Sequence, residues 1–207
     1  MNRILSSVAL AFICLFPVYG QMAWNAKYQN YFNQYKDLAI EQMLKYRIPA
    51  SITLAQGVFE SGAGYSELAR KGNNHFGIKC HGWQGRKTYH DDDERNECFR
   101  AYDSPGQSYE DHSKFLVQSQ RYRRLFSLKT TDYKGWAHGL KACGYATNPA
   151  YAKKLIDIIE LYKLHKYDSA HGYDKFMAKH ASEDSPAFKG GTLHPIKMYN
   201  KNYYIIA

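Results

Sequence analysis

The stretch PASITLAQGVFESGAGYS, residues 49–66, decides the fold. Its apolar residues recur at the spacing of one helical face, and the other faces are nearly as apolar. A helix that is apolar almost all round is normally buried in a core. Pro49 suits the first helical turn, and Gly62 and Gly64 allow the left-handed turn that ends a helix. The stretch therefore predicts a buried helix.

Glu60 lies at the C-terminal end of this predicted helix. Burial disfavours the carboxylate anion, and so does the negative end of the helix dipole, so both raise the pKa of the carboxyl group. A carboxyl group that is still protonated near neutral pH can act as a general acid. The alternative is an ordinary solvated glutamate, paired with a nearby Lys or Arg.

The chain on either side of this helix predicts an α+β fold. Helical spacing is found in the segments 24–46, 66–70, 104–119, 134–143 and from 149 onward. Three short segments rich in aromatic and β-branched residues lie between them, and they predict a three-stranded antiparallel sheet: HFGIKC (75–80), RKTYHD (86–91) and ECFRAY (97–102).

The two ends of the chain differ in composition from the middle. Residues 1–20 have a basic start and a short apolar run followed by Pro17 and Gly20, which predicts a signal peptide cleaved before Gln21. Bulky Ile13 before Cys14 argues against lipidation. Residues 21–167 form the predicted globular domain, and 168–207 form a linker that ends in the strand-like YYIIA. We expect an exported protein, periplasmic or extracellular, with no membrane span.

Three cysteines remain after the predicted cleavage. Cys80 and Cys98 flank a compact stretch with strand-like ends, and export permits a disulfide between them. The alternative is a metal site that adds His81 and His90, although the spacing matches no standard zinc motif. Cys143 is predicted to be a small buried hydrophobic residue.

The 207-residue chain carries a formal net charge of +9 and 19 tyrosines. Basic residues with interleaved aromatics fit nucleic acid, but flat sugar faces also stack on Tyr and Trp. An anionic cell-wall polymer would be attracted by the positive charge. The aromatic residues lie at helical core positions and not in a recognition motif, so we expect no nucleic acid partner.

Four motifs occur in the order seen in glycoside hydrolase family 73: LAQGVFESGAGYSELA, NNHFGIK, FRAYDSPGQSYEDH and GYATNPAYA. Over about residues 30–166, the chain resembles these endo-β-N-acetylglucosaminidases of bacterial cell walls. The resemblance implies a lysozyme-like fold with a helical lobe, a small β-lobe and a groove between them. It also implies that Glu60 is the acid that cleaves the β-1,4 bond between N-acetylglucosamine and N-acetylmuramic acid in peptidoglycan.

The resemblance further implies residues that assist Glu60. Tyr145 is expected to position the sugar or the nucleophile, although a core aromatic is the alternative. The family tends to carry a second carboxylate in the β-lobe, and this chain offers Asp91, Asp92, Asp93, Glu94 and Glu97 there, of which Asp91, Asp93 and Glu94 are the preferred candidates. We expect none of these carboxylates at nucleophile distance from Glu60 without substrate. A solvated acidic turn and assistance by the substrate's own acetamide are the alternatives.

Six further residues are predicted to bind the substrate: Gln56, Ser61, Asn74, Phe76, Trp83 and Asn148. Phe76 can equally be core. Asn148 stands where the family usually has Asp, and both residues cap helices well. The terminal YYIIA resembles the first strand of a LysM wall-binding module, with an incidental apolar tail as the alternative.

No metal or cofactor is expected, and we expect a monomer. One rival function is a lytic transglycosylase, which needs a single acid/base carboxylate and releases an anhydro-sugar. The other is a wall-binding protein without turnover, against which the intact Glu60 argues.

Overall fold

The computed structural model describes residues 22–92, 94–170, 193–198 and 201–206. Most of the first two ranges is helical, as the sequence predicts. Six α-helices and two 3₁₀ helices are present there: α1 Ala26–Tyr46, α2 Ala50–Glu60, α3 Glu67–Gly72, α4 Pro105–Gln118, the first 3₁₀ helix Gln120–Ser127, α5 Tyr133–Ala142, α6 Tyr151–Leu161 and the second 3₁₀ helix Leu164–Ser169.

Helix α2 is the centre of the helical lobe. Its residues from Ala50 to Val58 are all buried, and α1, α5, α6 and the second 3₁₀ helix pack around it. The predicted turn after Glu60 is also present, since Gly62, Ala63 and Gly64 all have positive φ angles. The prediction of a buried helix ending at Glu60 is confirmed.

Gly57 allows α1 to approach α2 closely. A Cβ atom at this position would lie 2.5 Å from the hydroxyl oxygen of Tyr31 on α1. That hydroxyl is within hydrogen-bond distance of Nδ1 of His75 (3.0 Å) and of the hydroxyl of Tyr109 (2.9 Å).

The predicted start of α1 at Trp24 is two residues too early, because the side chain of Asn25 caps the helix by accepting a hydrogen bond from Lys27 N–H.

The sheet of the β-lobe has two strands, β1 Lys87–His90 and β2 Glu97–Arg100, in antiparallel register with Lys87 opposite Arg100. The predicted third strand, residues 75–80, is wrong: it makes a single bridge, from Lys79 to Phe99. The side chain of Asn74 accepts a hydrogen bond from Ile78 N–H at 3.1 Å and donates to Ile78 C=O at 3.0 Å. The same C=O also accepts from Arg100 N–H of β2 at 3.0 Å, so the segment pairs with β2 only over residues 78–80.

The predicted disulfide between Cys80 and Cys98 is present, with the two Cα atoms 5.5 Å apart. It joins the segment before β1 to β2, beside a backbone hydrogen bond from Cys80 N–H to Cys98 C=O. Cys143 is a free thiol at the end of α5, partly exposed where a buried position was expected.

Arg100 and Tyr102 attach the β-lobe to α4. The guanidinium of Arg100 donates from Nη1 to both carboxylate oxygens of Asp111, at 3.0 and 2.9 Å, and the hydroxyl of Tyr102 donates to the same carboxylate at 2.6 Å. Trp83 covers this cluster, with its ring centroid 5.0 Å from the guanidinium.

Asp168, in the second 3₁₀ helix, caps the N-terminus of α2. Pro49 precedes α2 and offers no side-chain cap. The buried carboxylate of Asp168 accepts hydrogen bonds from the backbone N–H of Ser51 at 2.8 Å and from its hydroxyl at 2.6 Å. The packed part of the chain therefore extends past residue 167, where the predicted linker was to begin.

The last described residues form an antiparallel hairpin, β3 Leu193–Met198 with β4 Lys201–Ile206. The terminal strand was predicted, but its partner strand had been assigned to the linker. Membership of a LysM module stays a prediction.

The proposed signal peptide, residues 1–20, lies outside the described residues. Within the described residues, no helix is long and apolar enough to cross a membrane.

Candidate active site

A cavity of about 350 Å³ opens beside the C-terminal end of α2. Its wall combines α2, the segment before β1, α4, the first 3₁₀ helix and the turn after α5. The residues that line it are Glu60, Phe76, Gly77, Ile78, Lys79, His81, Phe115, Arg121, Tyr122, Tyr145 and Ala146. Glu60 is the only carboxylate in this lining of described residues.

Glu60 is exposed to the cavity while protein atoms crowd the rest of its carboxyl group. Loss of bulk water on those sides raises the pKa of Glu60 to about 7, a hydrogen bond from Tyr151 lowers it, and the negative charge of Asp92 raises it slightly. A carboxyl group with this pKa is protonated in about half of the molecules at neutral pH. The predicted rise in pKa is therefore present, with desolvation as its main cause.

A chain of hydrogen bonds links Glu60 to the interior of the helical lobe. The hydroxyl of Tyr151, on α6, lies 3.4 Å from Oε1 of Glu60. The amide of Gln56, one turn earlier on α2, donates to the same hydroxyl at 2.9 Å. Gln56 is buried and has no direct contact with the cavity. It therefore orients Tyr151 from behind the cavity wall.

Aromatic rings form the wall next to Glu60. The ring of Tyr145 stacks on that of Tyr151, with centroids 5.6 Å apart and planes at 25°, and it also contacts Tyr122 at 6.1 Å. On the other side, Phe76 stacks on buried His112 at 4.0 Å. Tyr145 and Phe76 thus both line the cavity, and their contacts with the substrate stay predictions.

None of the acidic residues in the described part of the β-lobe hairpin lines the cavity. Asp91 accepts a hydrogen bond from Asn96 N–H at 2.7 Å and so organises the hairpin turn. Glu94 is exposed, and Asp93 lies outside the described residues. Asp92, which was not among the preferred candidates, is the described hairpin carboxylate whose charge acts on Glu60.

Three predicted substrate-binding residues have no direct contact with the cavity. Gln56, Ser61 and Asn74 are buried. The hydroxyl of Ser61 donates to Gly57 C=O and accepts from Gly64 N–H, so it stabilises the turn after α2. Asn74 is occupied by its hydrogen bonds to the backbone of Ile78. These three residues support the cavity wall from behind and do not face the cavity.

Trp83 and Asn148 also lie outside the cavity lining. Trp83 donates its indole N–H to Arg86 C=O and packs on Arg100. Asn148 is exposed, and its side chain accepts a hydrogen bond from Ala150 N–H at 2.8 Å, just before α6. The prediction that Asn148 caps this helix is wrong, because α6 begins at Tyr151 with Ala150 at its N-cap and has no side-chain cap.

Three basic residues of the cavity lining were not predicted as site residues from the sequence. Lys79 and His81 come from the segment before β1, and Arg121 comes from the first 3₁₀ helix. The helix was missed because a short 3₁₀ segment has no 3.6-residue periodicity to detect. Among residues 22–92 and 94–170, no three His, Cys, Asp or Glu side chains cluster in a way that could hold a metal ion.

Together, the cavity brings one carboxyl group of raised pKa against an aromatic wall. Such an arrangement can bind a ring with apolar faces and donate a proton to an oxygen held in front of Glu60. General acid catalysis on a sugar substrate requires both features.

Comparison with known proteins gives a consistent result. Residues 36–164 match the family model Glucosaminidase, described as mannosyl-glycoprotein endo-beta-N-acetylglucosaminidase. The exo-glucosaminidase LytG of Bacillus subtilis is 35% identical over 151 residues, which cover 67% of this chain and 52% of LytG. The chain thus spans about half the length of the curated relatives that it matches.

Two solved structures share the fold. The catalytic domain of the autolysin Auto from Listeria monocytogenes has a TM-score of 0.59 at 28% identity, covering 72% of this chain and 91% of that domain. The glycoside hydrolase domain of FlgJ from Salmonella typhimurium has a TM-score of 0.58 at 25% identity, covering 76% and 98%.

Proposed function

Because the chain belongs to the glucosaminidase family of glycoside hydrolases, we propose that it cleaves peptidoglycan glycan strands with Glu60 as the general acid. The bond cut is the β-1,4 bond between N-acetylglucosamine and N-acetylmuramic acid. One observation carries the assignment of Glu60: it is the cavity-lining carboxyl group among the described residues, and its pKa is raised to about 7.

In the proposed reaction, Glu60 transfers its proton to the glycosidic oxygen as the bond to the anomeric carbon breaks. The positive charge that develops on the sugar is stabilised from the opposite side, and water then adds to the anomeric carbon. The hydroxyl of Tyr151 stabilises the carboxylate that Glu60 becomes. Tyr145 lines the cavity next to this pair and would hold the sugar in position.

The group that stabilises the developing charge is either a β-lobe carboxylate or the acetamide of the substrate. The position of Asp92 supports the first route, since its charge already acts on Glu60 without substrate. The absence of a second carboxylate from the described cavity lining supports the second route. Asp91, Asp93 and Glu94 remain candidates that closure of the β-lobe would have to bring nearer.

The test of the assignment is Glu60→Gln, which keeps the shape of the side chain and removes the acid. We expect a folded protein that still binds peptidoglycan and loses at least about a hundredfold in rate. Glu67→Gln is the matched control, because Glu67 is exposed on α3 and is outside the cavity lining. Near-normal turnover by a folded Glu60→Gln protein would contradict the assignment.

A lytic transglycosylase is the second candidate, and the single cavity-lining carboxylate favours it. The two reactions differ in their products. Hydrolysis leaves N-acetylglucosamine at the new reducing ends, whereas the transglycosylase releases an anhydro-sugar. Mass spectrometry of digested peptidoglycan distinguishes them, and we expect reducing N-acetylglucosamine.

We also propose cleavage within glycan strands, since the family model is described as a mannosyl-glycoprotein endo-beta-N-acetylglucosaminidase. LytG is named an exo-glucosaminidase, so the point needs a measurement. Internal cleavage shortens the average strand early in a digest, whereas cleavage from one end releases small fragments while long strands persist.

The composition of residues 1–20 supports export to the cell wall, where a monomer would act.

A further inference from the structure

Arg121 is a cation in the cavity lining whose function the proposed reaction leaves open. It is the second residue of the first 3₁₀ helix and lines the same cavity as Glu60. Within residues 22–92 and 94–170, no carboxylate lies within ion-pair distance of Arg121. Lys79, in the same lining, is instead paired with Glu97 at 2.8 Å.

The ring of Tyr122 holds the guanidinium of Arg121 in position. The guanidinium carbon lies 4.9 Å from the ring centroid, and the ring itself is fully buried. A guanidinium stacked on a fixed aromatic ring loses little further freedom when it binds a ligand. The Tyr122 hydroxyl is also buried, and burial raises its pKa while the charge and hydrogen bonding of Arg121 lower it, so the two side chains interact.

The charges around the cavity favour an anion. The described lining contains three basic residues, Lys79, His81 and Arg121, and one carboxyl group, that of Glu60. Because the pKa of Glu60 is about 7, that carboxyl group is protonated in about half of the molecules at neutral pH. Because Lys79 is paired with Glu97, the guanidinium of Arg121 is the charge in the described lining that attracts an anionic ligand.

We propose that Arg121 binds a carboxylate of the muramoyl unit of the glycan substrate, an inference that rests on the proposed function. N-acetylglucosamine is neutral, so a neutral sugar would leave the guanidinium without a partner. A muramoyl unit carries a lactyl carboxyl group, either free or extended by a peptide with carboxylates of its own. The planar fork of arginine matches a carboxylate with two parallel hydrogen bonds.

Binding can be measured without turnover in the Glu60→Gln protein. The matched ligands are peptide-free glycan fragments with free lactyl carboxylates and the same fragments with these groups converted to methylamides. We expect the methylamides to bind about two- to fivefold more weakly, the range for one accessible ion pair. When Arg121→Gln is added, the two ligands should bind equally, and Arg121→Lys should restore part of the difference.

Peptide-bearing fragments distinguish the two sources of the carboxylate. If the protein recognises the lactyl group, Arg121→Gln weakens binding of the peptide-free fragments. If it recognises the peptide, only the peptide-bearing fragments lose affinity. Either result supports the proposal, and Arg123→Gln is the control, since Arg123 lies on the same 3₁₀ helix and is exposed outside the cavity lining.

Equal binding of all carboxylate and methylamide forms by the parent protein would overturn the inference, and so would an equal loss on every ligand in Arg121→Gln. Failure of the proposed function has a different signature. In that case the wild-type protein would not release reducing ends from peptidoglycan, and the Glu60→Gln protein would bind no glycan fragment at all.

Discussion

The hydroxyl of Tyr151 lies 3.4 Å from Oε1 of Glu60, a long contact for a hydrogen bond between two oxygens. The same hydroxyl accepts a shorter hydrogen bond from Gln56. Tyr151 therefore connects the carboxyl group at the cavity with the buried interior of α2. Its weak bond to the Glu60 carboxylate lowers the pKa of Glu60, against the larger effect of desolvation.

Tyr151→Phe should raise the pKa of Glu60, because the bond that stabilises the anion is lost. Activity that needs protonated Glu60 falls as pH rises through this pKa, so the alkaline limb of the pH profile of kcat/KM should move to higher pH. We expect a shift below about one pH unit, since the contact is long. The aromatic ring is kept, so the stacking on Tyr145 remains. An unchanged or lower alkaline limb would contradict this prediction.

Asp92→Asn should have the opposite effect. The negative charge of Asp92 raises the pKa of Glu60, so its removal should move the alkaline limb to lower pH. Because Asp92 is half exposed, solvent and salt screen its charge, and the shift should be a few tenths of a unit and smaller at high salt. Asp103→Asn, at an exposed ion pair with Arg86, is the control. If Asp92 also assists directly, kcat should fall together with the shift.

Asp168→Ala should lower the free energy of unfolding by about 2 kcal/mol, since α2 loses its cap and Ser51 loses a buried partner. Denaturant unfolding measures this loss. Asp157→Asn is the control, because Asp157 forms an ordinary ion pair on the surface of α6. A loss no larger than that of the control would show that Asp168 does not hold the helix.

The same residue should make stability depend on pH. Burial raises the pKa of Asp168 from 3.8 to about 7, so the folded protein binds a proton that the unfolded chain has released. Its contribution to stability is fully present below about pH 4 and is lost as pH rises to about 7. Asp168→Asn cannot release a proton and should remove this part of the decline. A decline of the same size in Asp168→Asn would contradict the assignment.

The disulfide between Cys80 and Cys98 should matter more for the β-lobe than for the helical lobe. Thiol counting on the unfolded, non-reduced protein that starts at Gln21 should find one reactive group, Cys143. Replacing both bonded cysteines by serine should cost about 3 kcal/mol of stability in the chain-entropy model. When the disulfide is reduced, activity should fall before the helical signal in circular dichroism is lost. Simultaneous loss of activity and helical signal would contradict this order.

The helices could be predicted from the sequence because each buries one periodic face. The extent of α2 followed from Pro49 and the glycines after Glu60, which are local signals. The third strand was mispredicted because residues 75–80 have strand-like composition, yet only residues 78–80 bond to β2, and the N–H of Ile78 donates to the side chain of Asn74. No local pattern reports that hydrogen bond.

The site was predicted only in part. Glu60, Tyr145 and Phe76 line the cavity as expected. Gln56, Ser61 and Asn74 belong to the same motifs, but a motif does not distinguish a residue that touches a ligand from one that holds the wall behind it. Arg121 and Tyr122 were missed with their 3₁₀ helix. Asp168 was missed because the polar composition after Tyr167 resembles a linker.

The cap that Asp168 provides also has a consequence for the order of synthesis. The helix that carries Glu60 is made early, but its cap lies 117 residues later in the chain. Contacts this distant in sequence form late in folding, because a long loop must close first. A growing chain would therefore complete the helix of its proposed catalytic acid only after residue 168 has emerged, so partial chains would be poor enzymes.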